Sequence, residues 1–147
     1  MSDEICVGNS FSTYEQQDKV LVGMSGGVDS SVCVQILKDQ GFLVEGVAIK
    51  FSPVHEKAVA DATVVAKQMG VKLHVVECFD LFKEKVITPF CESYCQGTTP
   101  NPCVICNPYV KFKVLCDTAD KLGINLIATG HYARVEEDDE GVFHICK

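Results

Sequence analysis

Positive charge is scarce in this sequence. Thirteen lysines and arginines stand against twenty aspartates and glutamates, giving a formal net charge of −7 at pH 7. A free-standing nucleic-acid binder carries a basic face, so any contact with RNA has to be local or supplied by another molecule. Long apolar runs are lacking too. No stretch approaches the roughly 20 residues of a membrane-spanning helix, and no apolar segment follows a basic start as in a secretory leader. A soluble, cytoplasmic protein with no membrane partner is the expectation. No internal repeat is evident. What the chain does have is 147 residues at 47% hydrophobic content, enough to enclose one core. It also has nine cysteines. In a reducing compartment an odd count reads as reactive or metal-binding thiols more than as a disulfide framework.

Residues 1–18 show no sustained period and read as a flexible lead-in, leaving residues 19–147 as one nucleotide-binding domain. Lys19 to Met24 is a short apolar strand. Ser30 to Gln40 follows as a helix with Val32, Cys33, Ile36 and Leu37 on one face, closed by Gly41. Val44 to Lys50 is a second strand, and Glu56 to Met69 a helix with Ala62, Val65, Ala66 and Met69 as its stripe, ended by Gly70. Val71 to Val76 is a third strand. Asp80 is expected to cap a helix through Leu81, Phe82 and Val86 that Pro89 kinks or interrupts. Gly97 to Pro108 holds three prolines and reads as an exposed, stiffened loop. The helix after it has Phe112, Leu115, Cys116, Ala119 and Leu122 as its buried stripe and Gly123 as its stop. Leu126 to Thr129 is a fourth strand, and the acidic run Glu136 to Glu140 with Gly141 turns between strands Tyr132–Val135 and Val142–Cys146. Strands alternating with helices of this length predict an α/β fold, a parallel sheet between two helical layers, with ligands at the carboxyl ends of the strands.

The sharpest local feature is Gly23-Met24-Ser25-Gly26-Gly27-Val28-Asp29-Ser30-Ser31, at the junction of the first strand and first helix. Two glycines let the backbone approach an anion closely, and the amides and dipole at the helix start favour negative charge. Serines add hydroxyl donors. The pattern is not a Walker loop, because no Gly-Lys-Ser/Thr follows four spacer residues. Asp29 would repel bare phosphates unless magnesium lies between them, which suggests a metal-bridged triphosphate. A serine-capped Gly-Gly turn without a ligand is the plain alternative.

The second constellation is Thr99-Pro100-Asn101-Pro102-Cys103-Val104-Ile105-Cys106-Asn107. A thiol just ahead of a helix start has its thiolate stabilised, so the Cys106 pKa is expected to fall and Cys106 is a candidate nucleophile. Cys91-x3-Cys95 with Cys103-x2-Cys106 also has a spacing compatible with zinc or an iron–sulfur cluster, the less favoured reading because only the second pair has the usual interval. Cys103 and Cys106 form an alternative redox pair, in which Cys103 resolves a persulfide on Cys106 as a disulfide bond. Cys33 and Cys116 fall on apolar stripes and are expected in the core. Cys6, Cys78 and Cys146 have no site-like context. His131 is open between a structural and a catalytic role, and His55, His74 and His144 carry no assignment. Lys111, Lys113 and Arg134 are the one local basic group, suited to phosphate contacts with RNA.

Ser25-Gly26-Gly27-Val28-Asp29-Ser30 resembles the pyrophosphate loop of the N-type ATP pyrophosphatases, which have an adenine nucleotide alpha hydrolase-like fold. Joined to the cysteine segment, to Lys111-Phe112-Lys113 and to Ala128-Thr129-Gly130-His131-Tyr132-Ala133-Arg134, it is similar to the tRNA-specific 2-thiouridylases from about Lys19 to Arg134. The resemblance implies that ATP with Mg2+ adenylates the 2-oxygen of a tRNA wobble uridine, which persulfide sulfur then replaces. It implies ATP contacts by Gly23, Met24, Ser25, Gly26, Gly27, Val28, Asp29, Ser30, Ile49 and Gly130. Catalysis would fall to Cys106 and Cys103, and substrate contacts to Asn101, Pro102, Cys103 and Lys111. The implied partners are tRNA and a persulfide sulfur donor protein. Two departures stand out. Cys103 occupies the place of the family's usual aspartate, and nothing after Arg134 matches the family's continuation. An N-terminal fragment, or half of a split enzyme whose other half is a second chain, is therefore expected. The rivals are another adenylating ATP pyrophosphatase, such as an amide-forming ligase, and a non-catalytic module binding nucleotide and a cysteine-held metal.

Overall fold

The computed structural model describes residues 19–146, so the predicted lead-in lies outside the described residues. Four parallel strands form the central sheet: β1 (Lys19–Gly23), β2 (Leu43–Lys50), β3 (Lys72–Glu77) and β4 (Leu126–Thr129), in the order β3-β2-β1-β4. Each is rich in valine, isoleucine or leucine, as strands covered on both faces are. Helices α1 (Val28–Asp39) and α2 (Glu56–Gln68) connect the first three strands. They cover one face, where Val34, Ala62 and Ala66 pack with Val20, Val22, Met24 and Ala48. Helix α6 (Lys113–Leu122) covers the other face, where Leu115 and Ala119 meet Leu21, Val47 and Ile124. The expected three-layer α/β arrangement is what the chain adopts. A separate antiparallel pair, β5 (Arg134–Glu137) and β6 (Phe143–Cys146), follows, with Arg134 opposite Cys146.

The buried stripes differ from the periodic reading at two helices. On α1 the inward residues are Ser30 and Val34, flanked by Cys33 and Leu37, while Val32 and Ile36 are half exposed. On α6 Val114, Leu115, Thr118 and Ala119 are buried, whereas Cys116 is exposed and Leu122 borders on it. Both stripes are rotated because the helix packs on a twisted sheet, which selects a narrower arc than apolarity alone marks. Thr118 tolerates burial because its hydroxyl donates to the Val114 carbonyl at 2.7 Å. Gly123, in the left-handed conformation at φ +67°, ends α6 as expected.

The segment between β3 and β4 departs furthest from expectation. Helix α3 (Phe79–Phe82) has Cys78, not Asp80, at its N-cap, and Asp80 sits in its first turn. Pro89 does not interrupt the helical path. A π-helical turn over Lys83–Ile87 leads directly into α4 (Thr88–Cys95). The wider turn pairs the Thr88 amide with the Lys83 carbonyl, which accommodates a proline whose nitrogen has no proton to donate. The proline-rich stretch is not a loop throughout. Pro102 opens α5 (Pro102–Cys106), with Asn101 at the N-cap, and a second π turn over Asn107–Phe112 absorbs Pro108 and continues into α6. Proline is pre-organised for the first helical position, so Pro102 starts a helix where a count of prolines suggests none.

Candidate functional site

The direction of strand progression reverses between β1 and β4, because the chain adds β2 and β3 on one side of β1 and then places β4 on the other. Such a reversal opens a crevice at the strands' carboxyl ends, where ligands of doubly wound sheets bind. Gly23, the last residue of β1, pairs in register with Thr129, the last of β4. The turn Met24 to Gly27 leaves from that point and enters α1 two residues earlier than its apolar pattern suggests.

The turn is braced from within. The Ser30 hydroxyl, buried, lies 3.2 Å from the Gly27 carbonyl it donates to, and accepts from the Ser25 amide at 3.3 Å. The Ser25 hydroxyl accepts the Gly27 amide at 3.3 Å, and Ser31 donates to the Gly27 carbonyl at 2.8 Å. No side chain caps α1. Its first-turn amides at Val28, Asp29 and Ser30 have no intrahelical acceptor and point to the crevice end of the helix. Gly26 takes φ +78°, and a Cβ there would lie 2.8 Å from the Ala62 amide nitrogen of α2. Gly130 is as tightly placed, since a Cβ would come within 2.8 Å of the Ser30 nitrogen. Both glycines are required by close backbone approach. Asp29 accepts a 2.7 Å hydrogen bond from the Tyr132 hydroxyl, and the phenol's proton is held more firmly for it.

A cavity of about 320 Å3 lies at this junction. Its polar side comprises Gly23, Ser25, Asp29, Ser30 and Thr129, and its apolar side Ile49, Phe51, Val59 and Leu115. Met24, Ile49, Gly130 and Lys111 also line it, whereas Gly26, Gly27 and Val28 shape the turn beside it. Phe51 and His55 are wall residues that the motif reading missed, and His131, open between two roles in the sequence, lies in the same wall. His55 hydrogen-bonds the Ser52 hydroxyl through Nδ1 at 2.9 Å and meets the Phe51 ring edge-to-face at 5.4 Å. His131 hydrogen-bonds Thr129 at 2.8 Å and stacks obliquely on Phe112. The available signal for them was position, since each follows a strand's carboxyl end.

The cysteine segment stands apart from that cavity. Asn101 and Pro102 line a second cavity of about 400 Å3 with Lys85, Val86, Phe90 and Ile105. Cys103 is exposed at the second position of α5, and Cys106 is half-buried. Cys106 packs against the Val86, Val110 and Val114 cluster, which Ile49 and Phe51 of the first cavity's wall also touch. The expected fall in the Cys106 pKa is not found. Burial pushes this thiol up, the nearby Lys111 ammonium pulls it down less strongly, and Cys103 adds to the rise. The reason is placement: Cys106 ends α5 in mid-rod instead of preceding a helix start. Cys78 packs on the same cluster, and its thiol is likewise raised by burial. The predicted basic group is divided, with Lys111 in the cavity wall, Lys113 held by Asp117 at 2.8 Å, and Arg134 by Glu136 at 3.3 Å. All eight described cysteines are free thiols, and among the described residues no three His, Cys, Asp or Glu side chains come together to hold a metal ion. Cys91 and Cys95 are exposed on α4.

The family model of the tRNA methyl transferase HUP domain matches residues 18–147. The chain belongs to this family. Among its relatives, the tRNA-specific 2-thiouridylase MnmA of Clostridium acetobutylicum is 47% identical, the match covering 82% of this chain and 38% of that protein. The MnmA of Nitratiruptor sp. is 46% identical, over 80% of this chain and 36% of its own length. These relatives bear out the resemblance to the 2-thiouridylases. The chain thus spans less than two fifths of the curated relatives it matches. Among solved structures, a predicted subunit of tRNA methyltransferase from Methanocaldococcus jannaschii superposes with TM-score 0.59 at 29% identity, covering 77% of this chain and 52% of that one. Glutamine-dependent NAD+ synthetase from Acinetobacter baumannii, solved with ADP, gives TM-score 0.55 at 24% identity, over 78% and 22% of the two chains, a likeness of fold alone. Among the described residues no helix is long and apolar enough to cross a membrane.

Proposed function

We propose that this HUP domain, residues 19–147, binds ATP with magnesium at the β1–β4 junction and carries sulfur on Cys106. It would thereby form the catalytic part of an enzyme that thiolates the wobble uridine of tRNA at its 2-position. The observation that carries the reading is a shared wall. Ile49 and Phe51 line the cavity of the Gly23–Ser30 turn on one side and, on the other, touch the cluster that holds Cys106. The names of the relatives support it, at 47% and 46% identity over 82% and 80% of this chain.

The residues fit an adenine nucleotide. The cavity lies within the usual size range of small-molecule sites, it is apolar at Ile49, Phe51 and Val59 where a base would rest, and it is also lined by Ser25, Asp29 and Ser30 at the start of α1. Val28, Asp29 and Ser30 amides would receive phosphate oxygens. Asp29, steadied by Tyr132, would hold magnesium among them. Gly130 lets the end of β4 approach the start of α1 closely. Bound ATP supplies the adenylyl group that turns the uridine 2-oxygen into a leaving group. Asn101 and Pro102, which line the second cavity, would face the target base together with the exposed Cys103, and Lys111 a phosphate. With a chain charge of −7 and two of its three local cations already paired, tRNA affinity is expected to depend on a further segment or partner chain. A persulfide-bearing protein of the same compartment, the cytoplasm in this reading, would load Cys106.

Calorimetric titration with magnesium-ATP tests the nucleotide half. Asp29→Ala is expected to weaken binding at least about tenfold, while Cys106→Ser binds ATP as the unaltered chain does and no longer takes up sulfane sulfur from a persulfide donor. Equal loss of nucleotide binding in both variants would overturn the assignment.

A further inference from the structure

One hydrogen-bonding side chain stands within the apolar side of the cavity at the β1–β4 junction. Ile49 lies near the end of β2, Phe51 follows that strand, and Ala58 and Val59 face the cavity from α2. Among them His55 closes the 3-10 turn Pro53–His55, immediately before α2. Its imidazole is held from two directions. Nδ1 lies 2.9 Å from the Ser52 hydroxyl, and the ring meets Phe51 edge-on at 5.4 Å and Phe82 at 6.5 Å. Nε2, the remaining nitrogen, has no hydrogen-bond partner among the described residues. A polar atom fixed in an apolar wall is what orients a small-molecule ligand and gives a site its selectivity.

We propose that His55 reads the six-position of the purine, its Nε2 accepting a hydrogen bond from the adenine amino group, and so selects ATP over purine nucleotides with a carbonyl there. This rests on the proposed binding of a nucleotide in this cavity. Placement supports it. Helix α2 runs from His55 to Ala62, against which Gly26 of the glycine-rich turn packs, a distance of roughly 10 Å at 1.5 Å per residue. That is the reach of a nucleoside from its base edge to its phosphorylated carbon. A nucleotide whose phosphates meet the first-turn amides of α1 therefore brings its base to His55.

Ser52 sets the direction of the hydrogen bond. It is the N-cap of the turn that leads into α2, and its hydroxyl caps no backbone amide. An oxygen at a helix start is favoured as an acceptor, because the amide dipoles there present their positive ends to it. The Ser52 oxygen therefore accepts from Nδ1–H, the ring carries its proton on that nitrogen, and Nε2 keeps a lone pair. Adenine's amino group donates to that lone pair. The carbonyl of hypoxanthine or guanine in the same place sets acceptor against acceptor and leaves both unpaired, which costs at least the net worth of the bond. Packing of the imidazole on Phe51 and Phe82 opposes its turning away from the mismatch.

The test is calorimetric titration of the full chain at about pH 8, above the usual titration range of imidazole. The ligands are the magnesium complexes of ATP, of inosine triphosphate and of purine riboside triphosphate, which has only hydrogen at the six-position. The unaltered chain is expected to bind ATP about three- to tenfold more tightly than either of the others. His55→Phe, which keeps a ring against Phe51 and Phe82, is expected to bring all three within about twofold of one another. Ser52→Ala lets the proton move between the ring nitrogens, and is expected to bring inosine triphosphate within about twofold of ATP while purine riboside triphosphate stays weaker. Equal affinities in the unaltered chain, or an ATP preference that survives in His55→Phe or over inosine triphosphate in Ser52→Ala, refutes the inference. An unaltered chain that binds none of the three refutes instead the nucleotide-binding reading on which it rests.

Discussion

Gly26 and Gly130 show how single atoms shape the site. A methyl group at Gly26 would meet α2 at 2.8 Å from a backbone that already has positive φ. Gly26→Ala is therefore expected to cost about 1–3 kcal/mol and to weaken nucleotide binding as well, measurable as a lower urea midpoint with a reduced calorimetric affinity. Gly26 was legible as a glycine of the strand-to-helix turn, but its contact with Asp61 and Ala62 was not, because those residues lie a strand and a helix away in sequence. Cys106 makes the opposite case. Its local sequence suggests an activated thiol, and its packing raises the pKa. Alkylation of Cys106 by iodoacetamide near neutral pH is expected to be slower than that of an exposed cysteine in the same chain, the gap closing in urea. A Cys106 that reacts faster than Cys103 at pH 7 would contradict the burial argument.

Among the elements, the strands were the most readable and the rod from Pro102 to Leu122 the least. A parallel strand buried on both faces is a short apolar run, so β1, β2 and β4 stand out in the sequence nearly to the residue. Helical stripes were less secure, since the arc that a helix buries is chosen by the surface it meets. Cys116 and Leu115 are neighbours and both apolar, yet Leu115 is 1% exposed and Cys116 lies outside. Leu115→Ala is expected to destabilise the fold by about 2–5 kcal/mol, and Cys116→Ser by less than about 0.5 kcal/mol, both from urea denaturation. Prolines misled most. Pro89 and Pro108 each follow or enter a π turn, whose wider hydrogen-bond spacing accepts a residue without an amide proton. A count of prolines reads as loop, while the chain keeps a helix.

Across the whole molecule, the end of the sheet remote from the cavity at the β1–β4 junction carries its own electrostatic tie. Glu45 on β2 accepts a hydrogen bond of 2.6 Å from or shared with His74 Nε2 on β3, and Lys19 and Lys72 flank it. The His74 hydrogen bond is the first cause holding the Glu45 carboxyl below its ordinary value of 4.5, with Lys72 and Lys19 contributing. A depressed carboxyl stabilises the fold above its unfolded value, and that contribution is lost as pH falls from about 4.5 through the lower folded value. Glu45→Gln should therefore flatten the acid limb of stability measured by urea midpoints between pH 6 and pH 3, as an approximate window. A mutant with an unchanged acid slope would remove this pair from the account. The amino-acid sequence by itself determined the alternation of strands and helices, the glycine-rich turn at the first strand-to-helix junction and the family, because each rests on neighbours within a few residues. Only the tertiary structure decided that Phe51, His55 and His131 share one cavity wall, and that Cys106 is half covered while Cys103 is open. Those relations arise where parallel strand pairing and helix packing join segments 50 to 100 residues apart by rough count, and no local pattern of residue types encodes them.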